Sequence, residues 1–249
     1  QRDDWYTTRR CAAELDDAAA VGRIAAERAV ARLGGRKVKT GEFPVLFEAP
    51  LAAGLLGSLV HAASGGALYR KSSFLLDHLG KRVMPEFVNI SERPHIARGL
   101  GSSAFDSDGV TTRDREVVSG GILQGYFLSA YTARKLGMQT TGNAGGSHNL
   151  IIEPGALDRA GLLRQMGRGL LVTELLGQGI NYVTGDYSRG AAGFWVEDGK
   201  IAYPVEEITI AGNLKAMLAG IVAVGNDVQV RGTKQTGSIL VDRMTVAGD

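Results

Sequence analysis

The chain has 249 residues, and its 44% hydrophobic and 22% charged content is typical of a folded domain rather than a disordered one. Its 28 basic and 26 acidic residues give a net charge of +2, which provides no large positive field for binding nucleic acid or a membrane surface. The single cysteine, Cys11, excludes an intrachain disulfide and a multi-cysteine metal site, so we expect a cytoplasmic protein.

The first third of the chain predicts two helices and a strand. Residues 15–34 place small and aliphatic side chains at helical spacing, with Asp16 or Asp17 to cap the start and Gly34 to end the helix. The run FPVLFEAP indicates a buried strand. The small and aliphatic residues 51–66 then predict a second helix that packs closely on a neighbour.

From about residue 98 the pattern changes to strands and tight turns. Residues 115–131 contain two strand-like runs joined by Ser119-Gly120-Gly121, and Asp198-Gly199 joins two more, so both stretches predict hairpins. Helices are predicted after Pro154-Gly155 and after a capping Asn213, the latter with Ile221 on its apolar stripe. LLVTEL and SILVDRMTV predict further strands. We therefore expect an α+β fold in which a largely antiparallel, strongly curved or barrel-like sheet packs against several helices.

Common catalytic and binding motifs fail on inspection. Asp106-Ser107-Asp108-Gly109 resembles part of a calcium loop, but Ala104 and Arg115 occupy the first and twelfth positions, where carboxylates are needed. That stretch is better interpreted as a polar turn. There is no phosphate-binding Walker loop, no complete dinucleotide fingerprint and no nucleophile elbow.

The stretch TTGNAGGSHNLIIEPG, residues 140–155, is a candidate peptide-binding loop. Asn143, Gly145 and Gly146 can present groups to an anion or a peptide, and His148 can serve as a base or a ligand. The alternative, which we favour, is a flexible turn carrying a surface histidine.

The histidines give no local support for a metal site. The chain has His61, His78, His95 and His148, and no two of these are four residues apart. His78 is predicted at a helix C-terminus, and His95 follows Pro94 in a loop. His61 lies within the second predicted helix.

Several long stretches resemble one family. TARKLGMQTTGNAGG, GDYSRGAAGFW followed by PVEEITIAGN, VGNDVQVRG and the closing MTVAG are similar to the TldD/PmbA family, once called modulators of DNA gyrase, and most of all to its PmbA branch, also called TldE. The resemblance extends over essentially the whole chain. It implies a single C-terminal domain over residues 1–249. The family's N-terminal α/β domain would then lie outside this chain, and the opening QRDDWYTTRR, which has no initiator Met, fits such a fragment.

The resemblance also bears on His61. In the TldD branch the equivalent helix carries His-Glu-x-x-x-His, whose histidines bind zinc while the glutamate activates water, and a cysteine near the C-terminus completes the ligands. Here His61 matches the first histidine, but Ala62 replaces the glutamate, and Gly65 and Gly66 cover the second histidine position. Residues 225–249 contain no cysteine. We therefore expect no catalytic residue and no metal ligand in this chain, and His61 is a remnant or a packing residue.

By this resemblance the chain pairs with a zinc-bearing TldD-type subunit to form a metallopeptidase that degrades or trims unfolded peptides and small proteins. Its own share would be to enclose and bind the peptide, with Asn143, Gly145, Gly146, His148 and Arg189 as groove candidates; Trp195 is expected in the core. The alternative is a non-catalytic homodimer that holds peptides or partner proteins. Neither reading requires nucleic acid or a membrane.

Overall fold

Six α-helices and eleven β-strands organise residues 1–249 in the structure, which is a computed structural model. The helices are α1 (Ala18–Ala31), α2 (Ala49–Ala62), α3 (Gly65–Tyr69), α4 (Ala130–Leu136), α5 (Arg159–Met166) and α6 (Leu214–Ala219). The strands are β1 (Gly41–Phe47), β2 (Ile90–Glu92), β3 (Arg115–Ser119), β4 (Ile122–Leu123), β5 (Leu150–Ile152), β6 (Gly169–Leu176), β7 (Asp186–Glu197), β8 (Lys200–Asn213), β9 (Ile221–Val224), β10 (Lys234–Gln235) and β11 (Ile239–Ala247). No helix is long and apolar enough to cross a membrane.

Five strands close into a barrel. The first sheet has the order β1-β6-β7-β8-β11-β9, and β11 also pairs with β1, so the sheet returns on itself. Only the β1–β6 pairing is parallel in this sheet. The long β7–β8 hairpin turns at Asp198 and Gly199, whose φ angles of 50° and 70° are those of a primed turn. The predicted α+β class, the curved sheet and this hairpin are confirmed.

A second sheet lies beside the barrel with the order β10-β5-β2-β3-β4. All its pairings are antiparallel except β10–β5. A single cluster of 42 buried residues includes Val45 and Trp195 from the barrel strands together with Ile90 and Leu150 from the second sheet. The two sheets therefore share one hydrophobic core. Trp195, as predicted, lies in it and packs edge-on against Phe43 with ring centroids 4.9 Å apart.

Three local predictions were wrong. The aromatic run after β4 does not continue as a strand, because Ser129 caps α4 by accepting a hydrogen bond from the Thr132 N–H. Ile221 begins β9 instead of extending α6, which ends before Gly220. His78 lies in a turn region, not at the end of a helix, and its Nδ1 is 2.7 Å from the Leu76 carbonyl oxygen.

Candidate functional site

His61 lies in the last turn of α2, at the surface. Its ring stacks on Tyr182, with centroids 3.9 Å apart and planes inclined by 30°. Tyr182 belongs to the loop that joins β6 to β7, and its carbonyl oxygen accepts a 2.8 Å hydrogen bond from the Phe74 N–H. His61 therefore lies where α2 meets the rim of the barrel, and one face of its ring is covered by an aromatic side chain.

The positions of the family zinc motif do not form one helical face. The helix ends at Ala62, and Ser64 caps a new helix, α3, so the motif positions are divided between two elements. Ala62 is fully buried, so a glutamate there would direct its carboxylate into the core. A Cβ on Gly65 would lie 2.5 Å from the Thr132 Cβ, whereas one on Gly66 would meet only the guanidinium of Arg70 at 3.4 Å.

Zinc does not fit this set of residues. Only His61 offers a ligand, whereas a catalytic zinc site normally takes three from the protein. No group of three or more His, Cys, Asp or Glu side chains is gathered anywhere in the structure. The nearby polar groups instead suit hydrogen bonding.

Two polar side chains lie near the start of β7, close to the loop that carries Tyr182. Tyr187 is 3% exposed, and burial raises the pKa of its phenol to about 12 despite the opposing charge of Arg189. The phenol is therefore protonated at neutral pH and cannot serve as a base. Arg189 is half-buried; its Nη2 donates to the Leu175 carbonyl oxygen at 3.5 Å, and its buried Nε makes no hydrogen bond. The guanidinium thus keeps donor capacity for a carbonyl or a carboxylate.

One buried carboxylate, that of Glu92, holds residues 142–149, which we call the 142–149 loop. Glu92 is 1% exposed, and its Oε1 accepts from the Asn143 Nδ2 at 2.8 Å and from the His148 N–H at 2.7 Å. Its Oε2 accepts from Arg115 Nε at 2.7 Å, and Arg115 Nη2 donates to the Asn143 Oδ1 at 3.0 Å. Every polar atom of the Asn143 side chain is therefore engaged within the protein.

His148 is not a surface residue, so the favoured interpretation of this stretch was wrong. Its side chain is buried, with Nε2 2.9 Å from the Gly142 carbonyl oxygen. The Gly146 N–H donates to the Asn143 carbonyl oxygen, whereas Gly145 is exposed. Contact between this loop and a peptide stays a prediction, and Gly145 is the candidate that the fold presents to the surface.

The structure places the groove candidates on different elements. Arg189 belongs to the barrel strand β7, whereas the 142–149 loop immediately precedes β5 of the second sheet. No hydrogen bond links Arg189 to that loop. Tyr182 stacks on His61, and Tyr187 lies beside Arg189; neither tyrosine was predicted from the sequence.

Asp106 connects the 142–149 loop to the turn at residues 106–109, whose sequence resembles part of a calcium loop. Its Oδ1 accepts from the N–H groups of Asp108 and Val110, and its Oδ2 accepts from the Ala144 N–H, each at 2.9 Å. Burial alone would raise the pKa of Asp106, but these donors and the nearby His148 lower it below its ordinary value. The carboxylate therefore acts as a structural acceptor for two turns.

We expect Asp106→Asn to lower the free energy of unfolding at pH 7 by about 1–2 kcal/mol, because an amide nitrogen must replace one accepting oxygen. The folded-state pKa lies below that of the unfolded chain, so this contribution is present at neutral pH and lost as pH falls through the folded-state pKa. Urea unfolding at several pH values should show that the difference in unfolding free energy between the parent and Asp106→Asn becomes smaller below about pH 4. Asp114→Asn, at an exposed position, is the control. A difference in unfolding free energy that does not depend on pH would contradict the role of Asp106 as a charged acceptor.

The chain is similar in sequence to a named family and to curated proteins. A family model described as the PmbA/TldA metallopeptidase C-terminal domain matches residues 40–248. The chain is 53% identical to "Metalloprotease PmbA homolog" of Haemophilus influenzae and 51% identical to "Metalloprotease PmbA" of Escherichia coli, with 100% of this chain and 55% of each relative covered. The chain thus spans about half the length of these relatives.

Crystal structures give the same assignment. A Thermotoga maritima protein described as a modulator of a DNA gyrase superposes with a TM-score of 0.91 at 36% identity, covering 98% of this chain and 58% of that one. TldE from Thermococcus kodakarensis superposes with a TM-score of 0.81 at 26% identity, covering 94% and 56%. The chain belongs to the PmbA/TldA metallopeptidase family, and its residues 40–248 match that family's C-terminal domain.

Proposed function

We propose that this chain is the metal-free, PmbA/TldE-type subunit of a heterodimeric zinc metallopeptidase that degrades or trims unfolded peptides and small proteins. The zinc and the hydrolytic step belong to a TldD-type partner. A relative named "Zinc metalloprotease TldD homolog", from Saccharolobus solfataricus, is 27% identical over 81% of this chain and 48% of its own length, so both branches share this domain.

One observation carries the proposal. At the place where the family motif puts a glutamate and a second histidine, this chain has a fully buried Ala62, a Gly65 packed against Thr132 and a Gly66 that faces only the end of the Arg70 side chain. Protein atoms enclose position 62, so the residue that would activate water has no accessible place there, which supports a role without zinc. A protein that binds peptide without cutting it needs donors and acceptors, not a metal-activated water.

The residues that remain suit peptide binding. Arg189 keeps an unpaired donor, and Tyr187 stays protonated because burial raises its pKa to about 12. The half-buried Arg189 guanidinium can donate to carbonyl or carboxylate oxygens, which every peptide carries, so such a contact gives affinity without sequence preference. Tyr182, stacked on His61, adds an aromatic surface beside them.

We expect Arg189→Gln to weaken binding of a fluorescently labelled unfolded peptide by about tenfold, the loss of one charge-assisted hydrogen bond. Fluorescence anisotropy of the purified chain measures this directly. Arg134→Gln, which removes an exposed arginine from α4, is the matched control and should bind as the parent does. Equal affinity of the two variants and the parent would remove Arg189 from the peptide-binding surface.

A further inference from the structure

A cavity lies between the start of α2 and the segment that leads into β10. It has a volume of about 300 Å³, and its lining includes Tyr6, Pro50, Gln229, Arg231 and Lys234. Two of its lining residues are cationic and none is acidic, although the carboxylates of Glu48 and Asp4 act on Arg231 from outside the lining. Such a local imbalance favours a ligand group with negative charge.

Arg231 is held in place by aromatic rings. Its guanidinium carbon lies 3.6 Å from the Trp5 ring centroid and 4.8 Å from that of Tyr6. Its Nη2 and the Gln229 Oε1 are both buried and make no hydrogen bond, and burial lowers the pKa of Arg231. Buried polar atoms without partners are unfavourable, so an unpaired donor and an unpaired acceptor on two residues that line one cavity favour a ligand that pairs with them.

The neighbouring strand is suited to an extended ligand. β10 is the edge strand of the second sheet and pairs only with β5. Edge strands accept extended peptides through main-chain hydrogen bonds. Lys234 belongs to β10, and its Cε would lie 3.7 Å from a Cβ on Gly57 of α2, so its side chain runs beside the helix.

We propose that this cavity binds the C-terminal carboxylate of an extended peptide, with Arg231 and Lys234 as its cationic partners and Gln229 as acceptor for the last peptide N–H. The inference rests on the proposed peptide-binding function and adds an end-selective contact to it. A carboxylate and its adjacent N–H supply one acceptor group and one donor, matching the two orphan atoms. A long polyanion finds little support from a chain of net charge +2.

Titration calorimetry on the purified chain tests this with three probes: an unfolded hexapeptide with a free C-terminus, the same peptide amidated, and inorganic phosphate. We expect the free acid to bind at least about tenfold more tightly than the amide, the effect of one charge-assisted contact. Lys234→Gln and Arg231→Gln should each reduce that preference several-fold. The control is Lys200→Gln, which removes an exposed lysine at the start of β8 and should leave the preference unchanged.

The outcomes separate this inference from the function on which it rests. Equal affinity for the acid and the amide overturns the carboxylate site and leaves peptide binding intact. Binding of neither peptide overturns both the site and the proposed peptide-binding function. Phosphate bound more tightly than the free-acid peptide overturns the proposal in favour of a small-anion site. A preference for the acid that persists in both variants also overturns it, because other residues would then bind the carboxylate.

Discussion

Replacing Glu92 with glutamine is expected to lower the free energy of unfolding by about 3 kcal/mol, because breaking a buried ion pair leaves the other charge uncompensated. Glu92 is 1% exposed and accepts hydrogen bonds from Arg115, from the Asn143 side chain and from the His148 N–H. A glutamine nitrogen would face one of these donors with another donor. Urea unfolding followed by circular dichroism measures the change.

The matched control for that substitution is Glu116→Gln on β3. Glu116 pairs with Arg93, but its side chain is 46% exposed, and exposed pairs contribute at most about 1 kcal/mol. The two variants make the same chemical change on neighbouring strands, so only burial distinguishes them. Similar losses for both would contradict the conclusion that Glu92 organises the 142–149 loop.

Replacing Gly65 with alanine is expected to lower the free energy of unfolding by about 2–3 kcal/mol, the cost of overpacking a closed site. The added Cβ would lie 2.3 Å from the Thr132 Oγ1, which also accepts the Ser129 N–H in the capping box of α4. Relieving the contact therefore disturbs the start of that helix. The drop in midpoint on thermal unfolding is a direct measurement.

Gly66→Ala separates crowding from the general effect of replacing glycine in α3. A Cβ at Gly66 meets only the flexible end of Arg70, at 3.4 Å, and alanine favours a helix over glycine by about 1 kcal/mol. We therefore expect Gly66→Ala to be neutral or stabilising. An equally large loss at both positions would show that α3 responds to something other than the contact with Thr132.

Local features of the fold were predictable from sequence, whereas closure of the barrel was only partly so. The helix capped by Asp17 and the hairpin at Asp198-Gly199 depend on neighbouring residues, and both formed as expected. Closure requires β1 to pair with β11, for example Gly41 with Val246, and no short-range pattern specifies a contact across about 200 residues. Sequence supported a curved sheet but could not identify which strands would meet.

The α4 helix was missed although a signal was present. Its aromatic and aliphatic lead-in, residues 126–128, resembles a strand, and this outweighed the capping box that Ser129 and Thr132 form. The spacing of Ser129 and Thr132 by itself predicts that a helix begins there. The strand propensity of residues 126–128 therefore led to a wrong prediction at a helix start that the capping box indicates correctly.

The candidate site was predicted in part. The departure of Ala62, Gly65 and Gly66 from the zinc motif is visible in residue identity alone, and the absence of zinc that it implies stays a prediction. The burial of His148 was not visible, because its environment includes Glu92, 56 residues away along the chain. A histidine between polar residues in a glycine-rich stretch resembles a surface turn until its distant partner is known. Tertiary context, not local sequence, decides which polar groups remain free.

We propose that this chain has no catalytic zinc of its own and contributes to hydrolysis only through a partner. The most direct test measures bound zinc and cleavage of an unfolded protein substrate, for the chain alone, for its full-length form, and for that form mixed with a TldD-type subunit. We predict neither zinc nor cleavage without the partner, and cleavage after mixing. Stoichiometric zinc together with cleavage by the chain alone would contradict the account. A chain that binds unfolded peptide yet never supports cleavage with any partner would instead favour the homodimeric peptide-binding alternative.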